Sequence, residues 1–162
     1  MPAFFIVKAK AVIIKNEQIL LIEYSEKNCF HYNLPGGKVE IGETIDEALQ
    51  RELEEEASVY ISIGNIICVY EYTPHKHIEG HASDIPTIQI ILEAHLKENQ
   101  IPKLPQSPDK FQTAVKWVPL ADLDTIVLYP NLKSQIKQYY KQKQVIELAQ
   151  DFKFPNQKSL ET

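Results

Sequence analysis

A glycine-rich turn leads into an acidic helix in the stretch GGKVEIGETIDEALQRELEEEASV, residues 36–59. Three of the five glycines in the chain lie in this stretch before the helix: Gly36, Gly37 and Gly42. Glycine reaches positive φ angles and allows close approach of a ligand to the backbone, although an ordinary strand-to-helix turn needs the same freedom. Thr44 and Glu47 have capping-box spacing, which predicts a helix over residues 44–57.

The acidic residues of this helix divide between its two faces. At 100° per residue, Glu47 and Glu54 fall on the solvent side, as a surface helix requires. Glu52, Glu55 and Glu56 fall on the side that carries the apolar residues. Like charges at these spacings repel, and their burial calls for either a raised pKa or a divalent cation. The residues alone leave two alternatives open, a metal site and a solvated acidic face.

Oxygen ligands decide which metal such a site would take. Carboxylate and carbonyl oxygens suit Mg²⁺ or Mn²⁺ better than a thiolate-bound zinc. Arg51 lies one turn from both Glu47 and Glu55 and is therefore placed to hold a carboxylate. His75, His77 and His81 lack the spacing of a structural zinc site, so we interpret them as part of a polar loop.

The flanking sequence alternates extended segments with turns. Strands are predicted at residues 4–14, 18–24, 30–34, 59–63, 66–73, 87–96 and 114–118. Turns are predicted at Lys15-Asn16-Glu17 and Gly64-Asn65, and one helical turn at residues 121–124. A second long helix is predicted over residues 131–152, with Asn131 as its N-cap. This order predicts an α/β protein with a mixed sheet and helices packed on it.

Composition and charge exclude several classes of protein. The chain has 162 residues, 17 basic and 22 acidic, and a net charge of -5. Its composition is typical of a globular protein, and its acidic balance argues against a nucleic-acid polymer as partner. No apolar run approaches the roughly 18 residues of a membrane span, and Lys8 and Lys10 interrupt the first one. Two cysteines, Cys29 and Cys68, favour a reducing cytoplasm. We expect one domain over residues 1–152 and a flexible tail over 153–162.

The stretch around the acidic helix resembles a known family motif. Gly37, Glu43 and the run Arg51-Glu52-Leu53-Glu54-Glu55-Glu56 match the Nudix box, G-x5-E-x7-R-E-U-x-E-E-x-G-U, where U is a bulky apolar residue. Ser58 stands where the last glycine is usual, and Val59 fills the final apolar position. Residues 32–37 and 117–123 also look like the approach to the box and the closing strand and turn. The resemblance therefore covers most of residues 4–132.

The resemblance implies a fold, a reaction and a set of site residues. Nudix proteins form an α/β/α sandwich around a mixed sheet and hydrolyse nucleoside diphosphates linked to another group. Carried over by position, Glu52, Glu55, Glu56 and the Gly36 carbonyl would be ligands of Mg²⁺ or Mn²⁺. Arg51 would belong to the catalytic set by holding the helix, while Gly37 and Glu43 would orient the loop. A divalent cation would screen the anionic diphosphate for in-line attack by water.

The general base and the substrate stay open at this stage. The proton of water could be taken by a glutamate of the box or by an acid outside it, for which Glu93, Glu98 and Asp109 are the candidates. The resemblance also implies an acid in the loop before Trp117, where this chain has Gln112 and Thr113 instead. The substrate is expected to be a small nucleotide, either a nucleoside triphosphate or a nucleotide sugar. Pro74, fifteen residues beyond Val59, is a pointer to ADP-ribose.

Two further questions stay open. One alternative function is a catalytically weak Nudix-fold sensor that binds nucleotides, or an interaction module. Four aromatic residues, Phe30, Tyr32, Tyr70 and Tyr72, could stack on a base but are also ordinary core residues of strands. Nudix domains often pair, so a homodimer is open as well.

Overall fold

The computed structural model describes residues 4–27, 29–76, 84–146, 148–150 and 153–154, and within them the chain forms two sheets and two α-helices. The α-helices are α1 (Ile45–Ala57) and α2 (Lys133–Gln142). The strands are β1 (Ile6–Val12), β2 (Ile14–Lys15), β3 (Gln18–Glu26), β4 (Cys29–Asn33), β5 (Gly36–Lys38), β6 (Ile61–Tyr72), β7 (Thr87–Leu96), β8 (Gln112–Pro119), β9 (Leu128–Tyr129) and β10 (Ala149–Gln150).

Both sheets mix parallel and antiparallel pairs. The first has the order β10-β6-β7-β1-β5, in which β1 runs parallel to β7 and β10 runs parallel to β6. The second has the order β2-β3-β4-β9, with β8 paired to β3 and β9 parallel to β4. The predicted mixed α/β architecture is confirmed, and the strands are divided between two sheets.

The two helices pack on opposite faces of the sheets. Leu49 and Leu53 of α1 pack with Ala9, Ala11, Leu20 and Ile22, whereas Ile136 and Tyr139 of α2 pack with Val12, Ile19, Leu21 and Ile91. Alternate residues of β1 and β3 thus serve different cores, because successive side chains in a strand point to opposite faces. This arrangement is the predicted α/β/α sandwich.

The predicted turn at Gly64-Asn65 is wrong. Both residues lie inside β6, which runs as one twelve-residue strand along β7. The register shifts between Ile63 and Ile66, so the strand absorbs the extra residues as a bulge and keeps its partner. The hairpin turn at residues 15–17 is confirmed, with positive φ angles at Asn16 and Glu17.

The second helix is shorter than predicted, and its predicted cap is wrong. It begins after Leu132, which makes no side-chain capping bond, and ends at Lys143 in the left-handed region with a φ of 54°. Ile146 N then donates to Ile67 O at 2.7 Å, and β10 pairs with β6. The segment therefore leaves the helix because an open strand edge offers partners for its backbone groups.

Two predictions fall largely outside the described residues. His77 and His81 lie there, while His75 belongs to a short 3₁₀ turn, Pro74–Lys76. Of the predicted flexible tail, only Lys153 and Phe154 are described, and the Phe154 ring stacks on Tyr70 with 6.2 Å between centroids. In the described part of the chain, no helix has the length and apolar character that crossing a membrane requires.

Candidate active site

The capping box sets the first turn of α1. Glu47 N donates to Thr44 Oγ1 at 3.2 Å, and Thr44 N donates to Glu47 Oε2 at 2.8 Å. Two backbone N–H groups that lack partners inside the helix are thereby satisfied. The predicted helix start is confirmed, and it fixes the rotation that brings Glu52 and Glu56 toward the glycine turn.

The end of α1 shows what replaces the usual box glycine. Ser58 adopts the left-handed conformation with a φ of 56°, and its N–H donates to Glu54 O at 3.1 Å. Val59 N then donates to Leu53 O at 3.4 Å. Ser58 therefore ends the helix in the conformation that glycine favours, at a conformational cost of about 1 kcal/mol.

Glu56 is the buried acid of the site, with 5% of its surface exposed. Its Oε2 accepts the Gly36 N–H at 2.6 Å, and its Oε1 accepts the Tyr24 hydroxyl at 3.2 Å. Burial raises the pKa of Glu56, and the positive charge of Lys10 and the Gly36 N–H oppose that rise. Both carboxylate oxygens are thus held at known positions beside the glycine turn.

The two glycines of the turn lie close to β1 and to α1. A Cβ on Gly36, which has a φ of 117°, would lie 2.3 Å from Ala9 O. A Cβ on Gly37 would lie 2.4 Å from the carboxylate carbon of Glu52. A side chain at residue 36 would therefore collide with the backbone of β1, whereas one at residue 37 would displace the Glu52 carboxylate.

Arg51 connects the turn, the loop and the helix. Its guanidinium binds both oxygens of Glu43 at 2.7 and 3.0 Å, and it donates to Lys38 O at 3.0 Å. It also donates to Glu52 at 2.9 Å and to Glu55 at 3.4 Å. The hydrogen bonds from Arg51 lower the pKa of Glu43 to about 2 and raise the pKa of Arg51 in turn. Arg51 thus ties the loop at Glu43 to the helix, and the orienting role of the two residues stays a prediction.

The three predicted metal ligands differ in exposure. Glu56 is buried, the Glu52 side chain is 15% exposed and the Glu55 side chain is 60% exposed. Among the described residues, no three Asp, Glu, His or Cys side chains converge closely enough to hold an ion as they stand. Arg51 holds Glu52 and Glu55 while the turn holds Glu56. The donor set still fits Mg²⁺ or Mn²⁺, since it consists of hard carboxylate and carbonyl oxygens.

The acids outside the box lie in three different places. Glu93 accepts from Tyr139 at 2.9 Å and from Lys143 at 2.8 Å, so it belongs to the α2 side of the molecule. Glu98 lines an open cleft of about 610 Å³ with His95 and Ile101 at the far end of β7.

Asp109 is the candidate whose charge acts on the site. Burial first, and then the charges of Glu56 and Asp109, raise the pKa of Tyr24. Gln112 lies beside it, since Asp109 N donates to Gln112 Oε1 at 3.2 Å and Gln112 Nε2 donates to Glu56 O at 2.8 Å. Gln112 thus supports the end of α1 at Glu56.

Three residues at the candidate site are absent from the predicted set: Lys10, Tyr24 and Gln112, the last of which the sequence marked only for the acid that it lacks. In the sequence, Lys10 is visible only as a charge that interrupts an apolar stretch, and Tyr24 only as the last residue of a predicted strand. One signal was present for Lys10: two lysines alternate with alanines in residues 8–11, which places both charges on one face of a strand.

A row of three aromatic rings leads from Glu56 toward the surface. The Tyr24 and His31 rings stack with centroids 5.5 Å apart, and Tyr129 meets His31 edge-on at 5.5 Å. Tyr129 is 53% exposed. Of the aromatic residues considered from sequence, Phe30 is exposed, Tyr70 is buried and Tyr32 donates to Glu23.

Comparison with known proteins shows which family the chain belongs to. A family model described as the NUDIX domain matches residues 6–142. The ADP-ribose pyrophosphatase of Methanocaldococcus jannaschii is 36% identical over 94 residues, which are 56% of this chain and 54% of that protein. The 8-oxo-dGTP diphosphatase of Haemophilus influenzae is 48% identical over 58 residues, 33% of this chain and 43% of that protein. The matches thus span about half or less of these curated relatives.

Solved structures share the fold. A MutT NUDIX hydrolase from Burkholderia pseudomallei superposes with a TM-score of 0.65 and 26% identity, covering 83% of this chain and 98% of that one. A MutT protein from Methanosarcina mazei superposes with a TM-score of 0.66 and 20% identity, covering 89% and 99%.

Proposed function

Because the chain belongs to the Nudix family, we propose that it is a hydrolase that cleaves the diphosphate linkage of a nucleoside diphosphate derivative with the help of a divalent cation. The observation that carries this proposal is the buried Glu56 carboxylate, held at 2.6 Å by the N–H of Gly36. A protein seldom buries an acid against a glycine turn without a use for its charge or its proton.

The residues of the box have different proposed roles. Glu52, Glu55, Glu56 and the Gly36 carbonyl would hold Mg²⁺ or Mn²⁺, and the ion would screen the diphosphate and make water more acidic. Arg51 keeps Glu52 and Glu55 beside each other, although both are negative. Among the outside acids, Asp109 is the proposed proton acceptor because Gln112 links its backbone to Glu56 O at the end of α1. Glu93 is already bound by Lys143 and Tyr139.

The substrate class is a small nucleotide, either a nucleoside triphosphate or a nucleotide sugar such as ADP-ribose. Two relatives with these two kinds of substrate in their names support both choices. The row of rings formed by Tyr24, His31 and Tyr129 supports a nucleotide because such rings stack on bases. A cytoplasmic location is proposed as well, since Cys29 and Cys68 are both unpaired.

A screen of nucleotides tests the proposal. The purified protein is incubated with ATP, deoxynucleoside triphosphates, ADP-ribose and UDP-glucose, each with Mg²⁺, with Mn²⁺ and with EDTA. Phosphorus NMR in ¹⁸O-labelled water is expected to show metal-dependent turnover of at least one compound, with the label in one product phosphate. The labelled product identifies the phosphorus that water attacks.

One observation favours the alternative of a weak enzyme that binds nucleotides as a sensor. The carboxylates of Glu52 and Glu55 are engaged by Arg51 rather than gathered beside Glu56. Tight nucleotide binding without turnover under every metal condition of the screen would establish the sensor and reject the hydrolase.

A further inference from the structure

Lys10 is a buried charge that the Nudix box does not explain. It lies in the middle of β1 with 8% of its surface exposed, between Ala9 and Ala11, which are fully buried. Desolvating an ammonium group is costly unless hydrogen bonds and charges compensate it. The groups that compensate the buried charge of Lys10 should therefore indicate its role.

The ammonium group of Lys10 holds the glycine turn. Its Nζ donates to Leu34 O at 3.1 Å and also to Gly36 O. Ala11 N donates to Pro35 O at 2.8 Å between them. Three consecutive carbonyls of the turn are thus fixed to two consecutive residues of β1, with Lys10 directly opposite Gly36 in the register.

The Gly36 residue links this contact to the site. Its N–H is bound to the buried oxygen of Glu56 at 2.6 Å, and its carbonyl faces Lys10. A rotation of the turn would move both the N–H that orients Glu56 and the carbonyl that the proposed function assigns to the metal. Gly36 has a φ of 117°, one of several conformations open to glycine, so contacts from β1 select the one seen here.

We infer that Lys10 is a positioning residue of the active site, whose ammonium group orients Gly36 and so prepares Gly36 O and Glu56 to bind a divalent cation. This inference rests on the proposed metal-dependent function. Residues that orient metal ligands typically change affinity about 10- to 100-fold when removed. Lys10 does so through the backbone of the turn and does not touch substrate.

A simple charge effect would have the opposite sign. Lys10 is positive, and a cation near carboxylates repels a second cation. If Lys10 acted only through its charge, its removal would tighten metal binding. If it positions the turn, its removal weakens metal binding. Lys8 provides a matched control because it lies on the same face of β1 and acts on Glu52 and Glu56 through space.

The experiment measures Mn²⁺ affinity by the loss of the free Mn²⁺ electron paramagnetic resonance signal. Wild type, Lys10→Met, Lys10→Arg, Lys8→Met and Glu56→Gln are titrated, with thermal melting in EDTA to confirm that each is folded. We expect Lys10→Met to bind about tenfold more weakly, Lys10→Arg to recover most of the loss, and Lys8→Met to bind as well as wild type or better.

Each outcome decides a specific question. Lys10→Met binding Mn²⁺ as tightly as wild type, or both lysine variants weakening equally, overturns the positioning role. If Lys10→Met has a lower melting temperature in EDTA but an unchanged Mn²⁺ affinity, Lys10 contributes to stability alone, and the positioning role is again overturned. If the wild-type protein does not bind Mn²⁺, both the proposed function and the inference are refuted. If Glu56→Gln is the only variant that binds Mn²⁺ more weakly, the proposed function stands and the inference is refuted.

A measurement on the wild-type protein covers the case in which Lys10→Met does not fold. Proton–nitrogen NMR of the lysine ammonium groups is expected to show Lys10 protected from solvent exchange. Its resonance and the Gly36 amide should shift together when Mg²⁺ is added. A Lys10 resonance that stays unchanged while Gly36 shifts would overturn the inference.

Discussion

Arg51 and Glu43 form a two-pronged ion pair, with Nε 2.7 Å from Oε1 and Nη2 3.0 Å from Oε2. Glu43 lies in the loop before α1, and Arg51 lies two turns into the helix. The planar guanidinium matches the two carboxylate oxygens, so the pair fixes direction as well as distance. It ties the loop that follows the glycine turn to the helix that carries the acids.

This pair makes stability depend on pH. The Glu43 pKa falls from 4.5 to about 2 in the folded protein, so its contribution is complete above pH 4.5 and is lost as the pH falls toward 2. Glu43→Gln should therefore melt below wild type at pH 7, and the gap should narrow as the pH falls through that window. Glu40→Gln, which changes a half-exposed side chain, should show no such gap. A gap of equal size at pH 3 and pH 7 would contradict the assignment.

The buried acid should matter far more for turnover than a surface acid of the same helix. Glu56→Gln keeps the shape of the side chain and should lower kcat about 10²- to 10³-fold, comparable to the loss of one strong transition-state stabiliser. Glu54→Gln is the matched control, because Glu54 is exposed and its Oε1 accepts a hydrogen bond from the Tyr60 hydroxyl at 2.7 Å. Near-normal turnover by Glu56→Gln at saturating Mg²⁺ would refute its metal role.

The contact between Gly37 and Glu52 predicts a loss of activity without a large loss of stability. A Cβ at Gly37 would lie 2.4 Å from the Glu52 carboxylate, the movable end of a side chain. Gly37→Ala should therefore fold, displace Glu52 and lower kcat about tenfold. In Gly64→Ala, the new Cβ would lie 3.3 Å from Glu93 O, on the far side of the molecule. Kinetics and melting curves of both variants check this, and equal activity losses would count against it.

The two tyrosines of neighbouring strands offer a test of hydroxyl function. Tyr24→Phe removes the donor to Glu56 and should reduce Mn²⁺ affinity several-fold while keeping the ring. Tyr32→Phe removes the donor to the buried Glu23 at 2.6 Å and should cost about 1 kcal/mol of unfolding free energy without affecting Mn²⁺ binding. Urea unfolding and Mn²⁺ titration separate the two effects. A stability loss alone for Tyr24→Phe would remove it from the site.

Elements with a strong local pattern were predictable. The capping box of Thr44 and Glu47 located the start of α1, and strict alternation located β7 at residues 87–96 with the bounds that the structure shows. The C-terminal segment was not predictable in this way. The prediction continues the helix to residue 152, yet Ile146 N donates to Ile67 O, and Ala149 and Gln150 pair with β6, because unpaired backbone groups of a distant strand decide their conformation.

The exposure of the three box glutamates shows the limit of a helical wheel. The wheel places Glu52, Glu55 and Glu56 on one side, and the structure buries Glu56 but leaves Glu55 60% exposed. A wheel treats the helix as lying on a flat surface. Here the turn at Gly36 and Gly37 covers one part of the face only.

The chain's local chemistry determined the Nudix box: the helix, its cap, the glycine turn and the spacing of the acids all lie within residues 36–59, where each feature depends on near neighbours in sequence. Tertiary structure alone decided which other groups reach those acids. Lys10, Tyr24 and Gln112 contact the box across separations of 26, 32 and 56 residues. Their places follow from strand register and sheet packing, which arise from the burial of the whole core and leave little trace in any short segment of sequence.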